Sequence, residues 1–134
     1  MILLDTVTLV WFTLGDVRLG SESRSAIDGG NDFAISAITP WEVAMLVGKA
    51  RLTLGQRPLA WINGILADRR MKLVPITPKL AVEAGLLPPT IHEDPADRLI
   101  MATAQDLACP VMTPDEKLLA YARQGFVQAL DARR

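Results

Sequence analysis

The sequence has 134 residues, half of them hydrophobic, and a formal net charge of -1. The length suits one domain over residues 1–134 that buries an ordinary core, and the composition excludes a disordered chain. The near balance of charges excludes a general attraction to nucleic acid or to anionic membranes, so any such contact needs a local patch.

The opening stretch, MILLDTVTLVWF, is apolar but has no basic start and is interrupted by Asp5. It is too short to span a bilayer, and no small-residue cleavage site follows it. The single cysteine, Cys109, excludes an internal disulfide and a cysteine-rich zinc site, and we expect it to be buried. We therefore expect a cytoplasmic protein without membrane contacts.

Along the chain, short β-leaning runs alternate with longer stretches that have helical spacing. The runs cover residues 2–4, 33–36, 72–76, 110–112 and, more weakly, 126–130. The helical stretches cover residues 40–50, 58–68, 78–86, 95–107 and 115–123. Alternation of this kind predicts the α/β class, with a mostly parallel sheet covered by helices on both faces.

The strand exits carry polar residues. Asp5 closes the first strand, and each of the next three is followed by a Thr-Pro pair, at residues 39–40, 77–78 and 113–114. We expect each threonine to cap a helix whose first residue is the proline, with Thr39 and Glu42 forming a capping box. Glu42 and Asp115 then lie in first helical turns, beside the ends of the strands just left.

The segment HEDPADR, residues 92–98, predicts another helix start, with Asp94 as N-cap, Pro95 at the first position and Asp97 at the third. This helix precedes the fourth strand and must run antiparallel to it, so its N-terminus lies over the same edge of the sheet. Four acids are thus predicted at one edge, where open α/β sheets bind ligands; they are Asp5, Glu42, Asp97 and Asp115.

Capping alone explains any one of these acids, but it does not require four of them at one edge. Two carboxylates ~4 Å apart repel by about 4 kcal/mol at an effective dielectric of 20. The cluster should therefore be partly protonated, splayed or filled by a cation. An all-oxygen set of ligands suits Mg²⁺ or Mn²⁺, and such a site can hydrolyse a phosphodiester.

Four segments together resemble the PIN-domain ribonucleases, and most closely the VapC-type toxins of type II toxin–antitoxin pairs; they are LLDT at 3–6, SAITPWEVAMLVGKARL at 36–52, LLPPTIHEDPADRLIMATA at 86–104 and PVMTPDEKLLAY at 110–121. The resemblance implies a three-layer α/β/α fold with a five-stranded sheet, and a metal-dependent endoribonuclease. It also implies that the four acids hold Mg²⁺ or Mn²⁺ for RNA cleavage. A homodimer and a cognate antitoxin that blocks the site are implied as well.

Several neighbours of the acids have supporting roles in this interpretation. We expect the hydroxyls of Thr6 and Thr113 to hold the carboxylates, and Ser36 either to do the same or to form a turn. Asp94 is expected to cap its helix outside the metal site. Arg98 either pairs with a nearby acid or reaches a phosphate.

His92 is expected to make a structural hydrogen bond instead of acting as a base. We expect Trp11 to lie in the core. The segments around Trp41 and Trp61 are candidates for contact with an antitoxin or a second protomer.

Two other classes of function compete with this one. A haloacid-dehalogenase-type phosphatase needs a second aspartate two positions after the first, where this chain has Val7. A receiver-like regulatory module that binds Mg²⁺ without catalysis needs an early pair of acids that the sequence lacks, although TPDEK has some likeness to its lysine loop.

Overall fold

The computed structural model describes residues 1–91 and 93–134, and within them the chain forms five strands and seven helices. The strands are β1 Ile2–Leu4, β2 Phe33–Ser36, β3 Met71–Val74, β4 Val111–Thr113 and β5 Ala129–Asp131. The helices are α1 Thr6–Leu14, α2 Ser21–Asp28, α3 Ile38–Gly48, α4 Pro58–Leu66, α5 Pro78–Leu86, α6 Pro95–Leu107 and α7 Glu116–Arg123. None of the helices is long and apolar enough to cross a membrane.

All strand pairs are parallel, and the order across the sheet is β3-β2-β1-β4-β5. The α/β class and the five-stranded parallel sheet predicted from the sequence are thus confirmed. The central strand β1 is the most apolar, because it lies between two strands and under helices on both faces.

Alternation along the strands produces the three layers. Leu4 packs in a core with residues from α1, α2, α3 and α4. Its neighbour Leu3 points to the opposite face, into a second core formed mainly with α6 and α7. Both side chains are fully buried. Because successive side chains of a strand point to opposite faces, a two-residue apolar pair supports both helical layers.

Two helices were not predicted from the sequence, α1 and α2. The residues of α1, TVTLVWFTL, include several β-branched side chains and present no polar face, so propensity alone does not favour a helix. Asp5 starts the helix by accepting a hydrogen bond from the Thr8 amide, and Gly15 ends it with a φ of 65°.

The predicted capping pattern was correct for α5 and α6 and wrong for α3 and α7. Thr77 and Asp94 are N-caps followed by a proline, as expected. Helix α3 begins two residues earlier than predicted, because the Ser36 hydroxyl accepts the Ile38 amide and turns the chain, so Thr39 is no cap. In α7 the cap is Asp115, not Thr113.

Candidate active site

The candidate site lies where β1, β2 and β4 end. Asp5 follows β1, Ser36 is the last residue of β2 and Thr113 is the last residue of β4. All three side chains are buried. Parallel strands end at the same edge of a sheet, so the topology brings together residues that are far apart in sequence.

Asp5 is held by two neutral donors. One carboxylate oxygen accepts the Thr8 amide at 2.8 Å, and the other accepts the hydroxyl of Thr113. Burial raises the pKa of Asp5 to about 6, against the lowering effect of these hydrogen bonds, and the charge of Asp115 raises it further. The same carboxylate therefore starts helix α1 and forms part of the acidic edge.

Thr113 also connects Asp5 to Asp115. Its hydroxyl oxygen accepts the Asp115 amide at 3.0 Å while its proton goes to Asp5. The Asp115 carboxylate in turn caps α7 through the amides of Lys117 and Leu118, at 2.7 and 3.2 Å. Thr113 thus fixes the position of Asp5, which follows β1, relative to Asp115, which follows β4.

Glu42 is half-buried on the first turns of α3. Its Oε1 atom accepts the hydroxyl of Thr6 at 2.6 Å, and the Thr6 hydroxyl oxygen lies 3.0 Å from that of Thr39. Burial raises the pKa of Glu42, the Thr6 hydrogen bond opposes this effect, and the charge of Asp94 adds to it. Sequence reasoning missed Thr39 as part of this network, although its spacing of three from Glu42 puts both on one helix face.

The pKa of Asp97 is raised by burial and by the charges of four neighbouring acids. Partial burial is the main reason that its pKa is raised to about 7, and the charges of Asp94, Asp115, Glu42 and Asp5 follow in that order. Burial and nearby like charges both disfavour the charged form of a carboxyl group. The acids that act on Asp97 lie after β1, on α3, at the start of α6 and after β4.

The predicted neighbours of the acids have defined contacts. Asp94 is the N-cap of α6 and accepts the Ala96 amide at 2.9 Å. Arg98 donates to five main-chain carbonyls of residues 84–91, the shortest bond being 2.6 Å to Leu87. Its guanidinium thus holds the end of α5 and the loop after it. His92 lies outside the described residues.

The tryptophans divide between core and surface. Trp11 and Trp61 are buried in the core on the α1 to α4 side, and the Trp61 indole donates to the Thr13 hydroxyl at 3.1 Å. Trp41, beside Glu42, is 58% exposed. Trp61 is therefore no surface residue, but Leu59 in the same segment is 70% exposed, so the segments around both tryptophans present apolar surface. Cys109 is buried, as expected.

The four acids are near one another without converging on a point. Within residues 1–91 and 93–134, no three His, Cys, Asp or Glu side chains are arranged so that they could hold a metal ion. The donors themselves are all carboxylate oxygens, two from residues that follow strands and two from helices, and this is the ligand chemistry that Mg²⁺ and Mn²⁺ prefer.

A cavity of about 1350 Å³ lies elsewhere, beside β5, and none of the four acids lines it. A smaller cavity of about 580 Å³ has Asp94, Lys117 and Tyr121 in its wall, and none of the four acids lines it either.

A parallel five-stranded sheet with an acidic edge of this kind is the architecture of a nuclease-like α/β domain, and comparison with known proteins identifies the family. The sequence profile of the PIN domain matches residues 2–124. Ribonuclease VapC22 of Mycobacterium tuberculosis is 32% identical over 120 residues, which cover 90% of this chain and 91% of that protein. The chain therefore belongs to the PIN-domain family.

Solved structures agree on the fold. A toxin–antitoxin complex from Klebsiella pneumoniae has a chain that superposes with a TM-score of 0.66 at 19% identity, covering 98% of both chains. FitAcB from Neisseria gonorrhoeae superposes with a TM-score of 0.63 at 23% identity, also covering 98% of both chains. These likenesses support the PIN fold and favour neither the phosphatase nor the receiver interpretation.

Proposed function

We propose that this protein is a Mg²⁺- or Mn²⁺-dependent endoribonuclease and the toxin of a VapBC-type pair. The observation that carries the proposal is the position of Asp97, whose carboxyl group is influenced by Asp5, Glu42, Asp94 and Asp115 together. The relative VapC22 bears the name ribonuclease, which supports the same activity.

In this proposal Asp5, Glu42, Asp97 and Asp115 hold the cation, and Asp94 remains a helix cap. A bound divalent cation would orient and acidify the attacking water and neutralise charge on the scissile phosphate. The chain provides the positioning. Thr113 and the Thr8 amide fix Asp5, while Thr6 fixes Glu42, so two carboxylates are oriented before any ligand arrives.

The carboxyls also have a reason to bind a cation. Asp5 and Asp97 have pKa values raised to about 6 and about 7, which means that their charged forms lack sufficient compensation in the folded protein. A divalent cation supplies that compensation. The exposed Lys117, in the wall of the smaller cavity, is a candidate for contact with the RNA backbone.

The direct test is cleavage of a defined single-stranded RNA by purified protein. We expect cleavage with added Mg²⁺ or Mn²⁺, none in EDTA, and none by Asp5→Asn, which retains a helix cap but removes the charge. Cleavage in EDTA, or by Asp5→Asn at the rate of the unmodified protein, would contradict the four-acid mechanism.

A cognate antitoxin is the proposed partner, supported by the toxin–antitoxin complex among the structural neighbours. Trp41 and Val7, which are 58% and 43% exposed, follow or precede site acids by one or two residues. An inhibitor that covers the acidic edge would bury this apolar surface at the same time. We place the antitoxin contact there.

The proposed homodimer rests on a second apolar surface. It lies along the β3 edge of the sheet, where Leu73 is exposed on the face of α1 to α4, and Val82 and Leu86 are exposed on α5 at the other face. Apolar side chains on an edge strand and an adjoining helix are suited to burial against a second protomer. We place the activity in the cytoplasm, where a single thiol such as Cys109 stays reduced.

A further inference from the structure

We propose that Thr39 is a positioning residue for Glu42, acting through the hydroxyl of Thr6. The inference rests on the proposed function, in which Glu42 is a cation ligand. Thr39 does not touch the acid itself. Its hydroxyl oxygen lies 3.0 Å from that of Thr6, and Thr6 donates to Glu42 Oε1 at 2.6 Å.

The direction of the hydrogen bonds follows from the number of protons. A threonine hydroxyl has one proton, and an ionised carboxylate can only accept. The proton of Thr6 is therefore committed to Glu42. At the Thr6–Thr39 contact the donor must then be Thr39, so the sequence of donors runs from Thr39 to Thr6 to Glu42.

The direction of donation from Thr39 to Thr6 matters because both hydroxyl groups are buried. Thr39 is fully buried and Thr6 is 4% exposed, so water does not compete for their hydroxyls. Within the described part of the chain, the hydrogen bond of the Thr39 hydroxyl is the one to Thr6. With Thr39 donating, the Thr6 oxygen has its acceptor position filled and its proton aimed at the acid.

The network also joins two helices. Thr6 is the first residue of α1, whereas Thr39 and Glu42 lie on α3 three residues apart. A glutamate side chain has three rotatable bonds, and an unanchored one would sample several positions over the acidic edge. Thr39 and Thr6 restrict it to one.

Thr39→Val removes the hydroxyl and keeps the shape, whereas Thr39→Ser keeps the hydroxyl. Thr103→Val is the matched control, because Thr103 is also a buried helical threonine, and its hydroxyl donates to the Leu99 carbonyl at 2.7 Å, away from the acids. Mg²⁺ binding by calorimetry, cleavage kinetics and metal-free crystal structures are compared for all three.

We expect Thr39→Val to weaken Mg²⁺ binding by roughly tenfold and to lower kcat more than it raises KM. Thr39→Ser should stay within about twofold of the unmodified protein, and so should Thr103→Val. In the crystal structure of Thr39→Val, Glu42 should leave hydrogen-bonding distance of Thr6.

If Thr39→Val keeps both the Thr6–Glu42 hydrogen bond and the Mg²⁺ affinity, the positioning role is refuted. If the unmodified protein neither binds Mg²⁺ nor cleaves RNA, the proposed function fails instead. The crystal structures still decide whether Thr39 controls the position of Glu42 in that case.

Discussion

The hydroxyl of Thr113 donates to the carboxylate of Asp5, joining two residues 108 positions apart in the chain. Thr113 ends β4 and Asp5 follows β1, so the hydrogen bond forms only when these strands pair. Assembly of the sheet and orientation of the acid are therefore one event. Loss of register between β1 and β4 would remove the site along with the fold.

Asp97→Asn should abolish RNA cleavage, while Asp94→Asn should retain activity within about threefold. Asparagine caps a helix nearly as well as aspartate, and we propose that Asp94 is the N-cap of α6 and lies outside the metal site. Asp97→Asn should also raise the melting temperature of the metal-free protein at pH 8 by roughly 3–6 °C, because a repelled, partly buried charge is removed. Gel-based cleavage assays and thermal melts test both; equal losses of activity would assign Asp94 to the metal site.

The metal-free protein should be less stable at pH 8 than at pH 5. The pKa values of Asp5 and Asp97 are raised from 3.8 to about 6 and about 7, so the folded state holds more protons than the unfolded chain between these values. This contribution to stability is complete below about pH 4 and is lost as the pH rises through 6 and 7. The slope is at most about 1.4 kcal/mol per pH unit for each proton, less where solvent screens the charge.

Urea unfolding in EDTA across this pH range measures the effect. Added Mg²⁺ should restore stability at pH 8 and have little effect at pH 5, because the cation needs ionised carboxylates. Asp97→Asn should flatten the dependence. A metal-free protein whose stability increases steadily from pH 5 to pH 8 would contradict the raised pKa values.

Arg98→Ala should lower the free energy of unfolding by about 3 kcal/mol, because the loop carbonyls would lose a charged donor. Arg98→Lys should recover less than half of this, since an ammonium group cannot reproduce a planar array of donors. Urea unfolding gives the values. Unchanged stability combined with weaker RNA binding would instead assign Arg98 to phosphate recognition.

Trp41→Ala should weaken antitoxin binding by roughly 30-fold while leaving RNA cleavage and stability nearly unchanged. Leu86→Ala on α5, where the side chain is 78% exposed, is the control on the other apolar surface. Calorimetry with the purified antitoxin and light scattering measure affinity and oligomeric state. A monomeric Trp41→Ala with unaltered antitoxin affinity would mean that this surface joins two protomers.

The sequence predicted the helices on both faces and the five strands, because alternation of apolar runs reflects burial directly. Its predicted ends of β1 and β2 are correct, but β4 covers residues 111–113 instead of 110–112, and β5 covers residues 129–131 instead of 126–130. It predicted β3 over residues 72–76, but the strand ends at Val74, since Pro75 has no N–H for the ladder. Helix α1 could not be predicted locally. Its residues become helical because Asp5 caps them and Leu9, Val10 and Trp11 pack in the core.

Capping motifs were ambiguous for a related reason. The three Thr-Pro pairs look alike in sequence, yet only Thr77 caps a helix in the expected way. Instead, the hydroxyl of Thr39 is hydrogen-bonded to that of Thr6, and the hydroxyl of Thr113 donates to Asp5. These partners come close only when the sheet has assembled. The predicted hydrogen bonds from the hydroxyls of Thr6 and Thr113 to carboxylates are present, whereas the contact of Thr39 with Thr6 was not predicted.

The double duty of Asp5, as helix cap and as site acid, has a practical consequence. An asparagine there would keep the oxygen that accepts the Thr8 amide and replace the oxygen that accepts the Thr113 hydroxyl with an NH2 group, so helix α1 would keep its cap while the site loses a charge. Cells could then tolerate large amounts of this inactive variant, even when it is produced without an antitoxin. Such a variant would serve as bait for isolating the natural partner.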